Sequence, residues 1–498
     1  MTELRDDKPM WGVGEVLSLA FPAAAGMLGS TVMQFVDRLM VSKLVGPEAF
    51  SAQFVSAITA FVPTSLAMGI IIVVNTFVSQ NRGAGRLRRC GQYGWHGLYL
   101  AIFLGALMMP LAAVSGPLFG TIRDVIAARG GEPTSAGELA LQRVYFSYLI
   151  LGMPLMLMNR SLGQFFYGIG RPWIVMFVTL SSVGVNVVAN YVLITGAGPF
   201  PRLGLKGAAI GTLIGWGFGF VQLFLYFLYA REHRRYHTRT AWRLRVKFCR
   251  DILRVGWPAG VHFSIDILAW AVFNAILVGY FGRVHKEASA AATAYMNLSF
   301  MTAIGLGIAC TALVGRHIGA GRPDLARRRA HAALLIGAVY MGLCGVAFYV
   351  FRRPMIELFI SLRGQHGVSE AQRAVMHAEI VRVGAMVLIC AAAFQAFDAV
   401  AIVFRGALRG AGDTLWPMVV SVVLSWSIIV GGGIAAIVFL PQLKSIGPWI
   451  AGGAFVIVLS LVLTWRFERG PWRKIDLLGR PAPGAPGGPA HVDIDEQL

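Results

Sequence analysis

The sequence predicts an all-α integral membrane protein of twelve transmembrane helices arranged as two six-helix parallel repeats, and three observations carry that expectation. The 498 residues are 56% hydrophobic and only 14% charged, with a mean hydropathy of +0.65, a balance ordinary soluble domains do not reach. Apolar runs of about 20 residues recur along the whole length, each long enough to cross a hydrocarbon core as a helix. Landmarks of the first half return in the second at a fixed spacing.

The first six spans are expected at residues 15–44, 51–79, 93–118, 141–165, 173–197 and 206–230. Spans 7 to 12 follow at 256–282, 289–315, 331–351, 379–405, 415–439 and 446–467. The net charge of +20 is not spread as on a nucleic-acid-binding surface. It gathers between spans 2 and 3 (Arg82, Arg86, Arg88, Arg89), between spans 6 and 7 (Arg231 to Arg254) and between spans 8 and 9 (Arg316, Arg322, Arg327, Arg328, Arg329). These three loops fall on one side. The loops opposite are poor in Lys and Arg or balanced by acids, as with Arg123 and Arg129 beside Asp124, Glu132 and Glu138. By the positive-inside rule both termini are then cytoplasmic, which places the chain in the cell (inner) membrane as a multi-pass protein. The first apolar run is too long for a cleaved leader, so span 1 is expected to stay. Five scattered cysteines imply neither a disulfide framework nor a zinc site. The Pro- and Gly-rich residues 468–498 read as a disordered cytoplasmic tail.

"VSQNRGAGRLRR" (Val78 to Arg89) returns as "VGRHIGAGRPDLARRR" (Val314 to Arg329), Gly83 matching Gly319 at an offset of 236, which also relates Pro22 to Pro258 and Gly46 to Gly282. "YGIGRP" (Tyr167 to Pro172) and "RGAGDT" (Arg409 to Thr414) pair at 242. The chain thus divides into an N-terminal unit (1–230), a basic linker (231–255) carrying nine Lys or Arg against two acids, and a C-terminal unit (256–467). An even number of crossings makes the units parallel repeats about an axis along the membrane normal, an arrangement suited to alternating access. The glycines of the repeated motif read as tight turns rather than a phosphate cradle.

Three carboxylates interrupt the spans: Asp37 in span 1, Asp266 in span 7 and Asp398 in span 10. A charge in hydrocarbon needs a partner or water. Asn186 and Asn190 of span 5 are four residues apart, hence on one helix face, offering amide groups to a neighbouring helix, with Asp37 a candidate recipient. The same pair reads equally as polar glue between helices. The offset carries Asp37 onto Phe273 and Asp266 back onto Ser30, so the two acids are not equivalent and lie at different depths. Carboxylates in a dry bundle either hold a hard cation among oxygen partners or take up a proton. His262, one turn before Asp266, is a candidate proton relay or a packing residue. Arg38 points about 100° away from Asp37 and is expected to snorkel or meet a carbonyl. Met33, Met40, Met153, Met156 and Met158 read as an adaptable cavity lining or as packing.

These residues resemble the multidrug and toxic compound extrusion (MATE) family, NorM-like branch, from about Leu17 to Phe467. The likeness rests on "FVDRLMVSKLVG", "VSQNRGAGR", "FFYGIGRPWIVMFVTLSSVGVNVVANYVLI", "GLKGAAIGT", "GWPAGVHFSID" and "FDAVAIVFRGALRGAGDT" in that order. The resemblance implies two six-helix lobes in a V and export of organic compounds in exchange for sodium or protons. It implies that Asp37 is the N-lobe coupling acid, working with Asn186, Asn190 and Thr212. It also implies that Asp266 and Asp398 are the C-lobe acids, with Na+ held there if sodium is the coupling ion. Asp266 stands where that branch has Glu. The implied partners are an organic substrate, a coupling cation and the bilayer, without nucleic acid, with no cofactor beyond that ion, and with the chain acting as a monomer. Two other readings were open: a lipid-linked saccharide flippase, disfavoured because the cavity charges are expected to be acids, and a membrane-embedded enzyme, for which no nucleophile and base come together.

Overall fold

The computed structural model describes residues 12–128, 135–363 and 370–479, and among them only helices and connecting turns occur. Arg129, Glu132 and the tail from residue 480 lie outside the described residues. Eleven described helices are long and apolar enough to cross a membrane. Their extents are Val13–Leu44, Pro47–Gly83, Leu87–Ala112, Pro172–Thr195, Leu205–Leu228, Val246–Phe281, Arg283–Gly319, Pro323–Val350, Ala374–Ala411, Leu415–Phe439 and Ile446–Arg469. The twelfth, span 4, is the pair Ala136–Leu151 and Met153–Gly168, bent by 44°. The bend falls where Gly152 meets Pro154, whose ring nitrogen cannot continue the hydrogen-bond ladder. All twelve expected spans are present. Large apolar side chains such as Phe103, Leu107, Phe177, Leu225 and Phe439 are exposed, as a lipid-facing surface requires.

Helix ends differ from the sequence reading where charges lie. Span 7 begins at Val246 and span 10 runs to Ala411, because a charged residue ends an apolar run without ending the backbone hydrogen bonding of a helix. The first residues of the expected tail end the last helix and then form turns. Residues Pro471–Lys474 form a short 3₁₀ turn in which buried Trp472 stacks on Phe467 at 5.1 Å and donates to its carbonyl at 2.7 Å. Arg86 then donates to the carbonyl of Leu478 at 2.8 Å.

The repeat is written in the backbone. Gly46 and Gly282, Gly85 and Gly321, and Gly170 and Gly412 all hold positive φ, at offsets of 236, 236 and 242. At Gly85 and Gly321 the reason is a glycine helix stop. Arg86 N–H donates to the Asn81 carbonyl and Arg322 N–H to the His317 carbonyl, both at 2.9 Å, the bonds of a left-handed C-terminal cap that other residues adopt at a cost.

Packing between the halves obeys the same twofold relation. Gly83 abuts the carbonyl of Arg316, and Gly319 abuts the carbonyl of Gln80, positions related by 236. Gly69 lies against Gly260, and its counterpart Gly305 against Ala24, the counterpart of Gly260. In lipid, close backbone approach through small residues is what holds helices together. Span 2 therefore packs on span 7, and span 8 on span 1. Hydrogen bonds tie this seam: Ser65 with Ser264 at 2.8 Å, Thr76 to the Arg409 carbonyl at 2.9 Å and Gln80 to the Gly410 carbonyl at 2.9 Å. Phe61 of span 2 and Phe263 of span 7 meet edge-on at 6.2 Å. The halves thus join toward the end bearing the basic loops, as a V does.

Replacing Gly319 by Val is expected to lower stability by about 1–3 kcal/mol through overpacking. Replacing Gly184, which has open space around its Cα, by Ala should be neutral or stabilising by up to about 1 kcal/mol. Thermal unfolding of both variants in detergent checks the contrast.

Candidate functional site

Two buried polar clusters lie in the two halves. In the first, span 1 carries Asp37, span 2 Gln53, span 4 Tyr145, span 5 Asn186 and Asn190, and span 6 Thr212, and all are buried. Asn190 donates from Nδ2 to Asp37 Oδ1 at 2.6 Å, and more weakly to Asn186 Oδ1 at 3.4 Å. The four-residue spacing of the two Asn puts both amides on the face of span 5 that meets span 1. Thr212 lies near Asp37 and Tyr145, its hydroxyl donating to the Ala208 carbonyl at 2.9 Å. Gln53 donates to the Tyr145 hydroxyl at 3.3 Å. The small residues of span 6 allow this approach: Gly211 leaves room for Asn190 and Gly215 for Asn186.

The cluster is not self-satisfied. Asn190 Oδ1, Asn186 Nδ2 and Gln53 Oε1 are buried without a partner among the described residues. Such orphaned groups are costly in a dry interior and mark a place completed by something else. Arg38 stacks over the Phe54 ring of span 2, 5.4 Å from its centroid, a cation–π contact.

In the second half, spans 7 and 10 bring Asp266, Asp398 and Arg405 within electrostatic reach of one another. His262 lies near Arg405 and Arg409. Arg409 donates to the Thr311 hydroxyl at 3.2 Å. Asp266 Oδ1, His262 Nε2, Arg405 Nε and Arg409 Nε are buried without partners among the described residues. The sequence reading missed Arg405 and so expected only acids here. Its signal was present: seven residues, two turns, separate Arg405 from Asp398, placing both on one face. Two carboxylates beside one fixed guanidinium leave a single negative charge to be balanced when both acids are ionised. No group of three or more His, Cys, Asp or Glu side chains is poised for a metal among the described residues.

The methionines divide. Met153 accepts from the Thr64 hydroxyl at 3.1 Å and is buried in packing, while the Met33 methyl stands near Gly215 beside the Asn186 cluster.

The family model MatE matches twice, at residues 22–192 and 263–432, one match in each half. The multidrug resistance protein NorM of Burkholderia vietnamiensis is 28% identical over 453 residues, covering 90% of this chain and 92% of that one. The probable multidrug resistance protein NorM of Thermotoga maritima is 25% identical over 482 residues, covering 94% of each. A crystal structure of a MATE in complex with MaL6 shares the fold at a TM-score of 0.79, with 19% identity, 94% of this chain and 100% of that chain covered. The eukaryotic MATE transporter AtDTX14 does so at 0.77, with 17% identity and 93% and 96% covered. The doubled match spans most of both halves, and the chain belongs to the MatE family of multi-pass membrane transporters.

Proposed function

We propose that the chain is a secondary antiporter that exports organic, often cationic and amphipathic compounds in exchange for Na+ or H+. The lobes of residues 1–230 and 256–467, joined by linker 231–255, exchange access across the membrane, with the basic loops and both termini in the cytoplasm of a monomer. The single observation that carries this reading is the incomplete cluster around Asp37. An acid in hydrocarbon held by Asn190, beside orphaned amide groups, has one negative charge and vacant polar partners to offer a small cation, a proton or a cationic ligand. Carboxylates in an otherwise apolar cleft attract positive ligands while the apolar walls tolerate varied shapes.

Asp266 and Asp398 form the second coupling set, with His262 at its edge. Arg405 offsets one of the two acids, so this set takes up one monovalent cation or one proton. Exchange follows if ion and organic substrate favour opposite arrangements of the lobes, since each then displaces the other by linkage. At the basic end the closed arrangement is held by Glu15, which accepts from Arg329 at 2.8 Å and from Arg316 at 3.2 Å, joining span 1 to the opposite lobe.

Efflux of a fluorescent organic cation from proteoliposomes, driven in turn by an imposed sodium or pH gradient, tests the antiport. Asp37→Asn should reduce gradient-driven efflux to the protein-free rate at equal protein levels; retention of efflux by Asp37→Asn, Asp266→Asn and Asp398→Asn alike would overturn the carboxylate mechanism. Arg405→Ala should destabilise by about 3–5 kcal/mol, as removal of one member of a buried charge set does, and adding Asp398→Asn should restore much of it. Chemical denaturation of the single and double variants checks that rescue. Glu15→Gln should increase maleimide labelling of a Ser79→Cys probe in the seam by up to about thirtyfold, since it removes two partly exposed ion pairs that each contribute up to about 1 kcal/mol.

A further inference from the structure

Away from the two clusters, a cavity opens where the linker between the lobes folds back on span 3. It has a volume of about 1040 Å³ and is lined by six arginines, Arg88, Arg234, Arg235, Arg239, Arg243 and Arg245, with His237. No carboxylate among the described residues lines it. The linker's two acids are engaged elsewhere: Glu232 pairs with Arg171, and Asp251 accepts from the Tyr93 hydroxyl at 3.1 Å.

The walls are built rather than loose. Trp95 of span 3 donates to the Thr238 carbonyl at 2.6 Å. His96 Nε2 accepts from the backbone N–H of Arg245 at 2.8 Å, which leaves Nδ1–H to donate to the Gln92 carbonyl at 2.7 Å. Tyr99 donates to the carbonyl of Trp242. Three successive positions on one face of span 3 thereby fix the linker's course, and the backbone of Tyr236 sits close enough to Gly91 to exclude any side chain there.

The linker segment "WRLRVK" (Trp242 to Lys247) alternates apolar and basic residues. Its first four residues are not helical. Trp242, Leu244 and Val246 are 56%, 65% and 76% exposed, and Trp242 lines the cavity together with Arg243 and Arg245. Its backbone is held at Trp242 by Tyr99 and at Arg245 by His96, near the start of the apolar run of span 3, so it lies at the level where hydrocarbon gives way to headgroups. Exposed Trp and aliphatic residues at that level enter the bilayer edge. An apolar row entering lipid beside an arginine-lined cavity is a geometry for one kind of ligand: a molecule with an acyl region in the membrane and an anionic phosphate at its surface.

We propose that this cavity binds the headgroup of an anionic phospholipid, its phosphate held by Arg234, Arg235 and Arg243 and its chains running along Trp242 and Leu244. Guanidinium groups suit this because their fork of donors matches phosphate oxygens. A bound lipid would sit where span 3 of one lobe holds the linker that leads to the other.

The test uses the full chain, purified in detergent and exchanged into mixed micelles of phosphatidylglycerol and phosphatidylcholine, with co-purifying lipid quantified by mass spectrometry. The protein should retain phosphatidylglycerol preferentially. Each juxtamembrane basic residue contributes roughly fivefold to anionic lipid affinity, so Arg234→Gln/Arg235→Gln/Arg243→Gln should weaken retention on the order of 100-fold. Removing equal charge at the other end, by Arg352→Gln/Arg353→Gln/Lys444→Gln, should leave retention unchanged. A second variant, Trp242→Ser/Leu244→Ser, keeps every arginine and should also lower retention, which guards against a triple variant that fails to fold. Equal retention by the arginine and control variants would overturn the proposal. So would thermal stabilisation by inorganic phosphate alone as large as that by phosphatidylglycerol, because it would assign the cavity to a soluble anion.

Discussion

The cost of placing a carboxylate inside a bilayer is the constraint from which the rest of this structure follows. Asp37 is a buried acid in a span made mostly of apolar residues, and a charge there costs a few kcal/mol or more unless it is met by donors. Span 5 meets it with Asn190, and span 6 brings Thr212, span 4 Tyr145 and span 2 Gln53 into the same buried cluster. That convergence in turn requires glycines at 211 and 215, where the backbone of span 6 must yield to the two amides. The first half is organised around one acid and the groups that tolerate it.

The second half keeps the architecture and changes the solution. Its acids sit at positions without counterparts in the first half, and an internal arginine shares their cluster. At the places equivalent to Asp37 and to Asn186 and Asn190, the second half instead has π-helical segments, Phe273–Val278 and Ser425–Gly432. Large side chains fill the space there, with Phe273 packed edge-on against Trp449 at 5.0 Å. Short π segments of this kind recur near functional sites. Duplication therefore preserved the glycine-lined seam, which both halves need in the same form, while the polar interiors diverged.

Much of this was legible in sequence, and what was not has physical reasons. The spans were readable because hydrocarbon thickness dictates run length, and the repeat because turns that need glycine at positive φ tolerate little else. Asp37 with Asn190 was readable because charge in a span and a four-residue amide spacing each leave few uses. Tyr145 and Gln53 were not, since uncharged polar residues occur in spans for many reasons and only convergence singles these out. Arg405 was overlooked because hydropathy placed the end of span 10 at that residue, whereas the helix continues to Ala411 and takes the arginine into the interior. Trp472 was lost to a compositional reading of the tail, although Gly470, Pro471 and Trp472 themselves spell a turn that docks an aromatic ring.

The central claim is that one acid, Asp37, is shared between ion and organic substrate. Equilibrium binding of a fluorescent organic cation to the purified protein, titrated with Na+ and separately with H+, measures this most directly. The account predicts that at least one of the two ions displaces the ligand from the wild-type chain, and that Asp37→Asn removes that displacement. Displacement that is unchanged in Asp37→Asn, in a folded and monodisperse preparation, would contradict it.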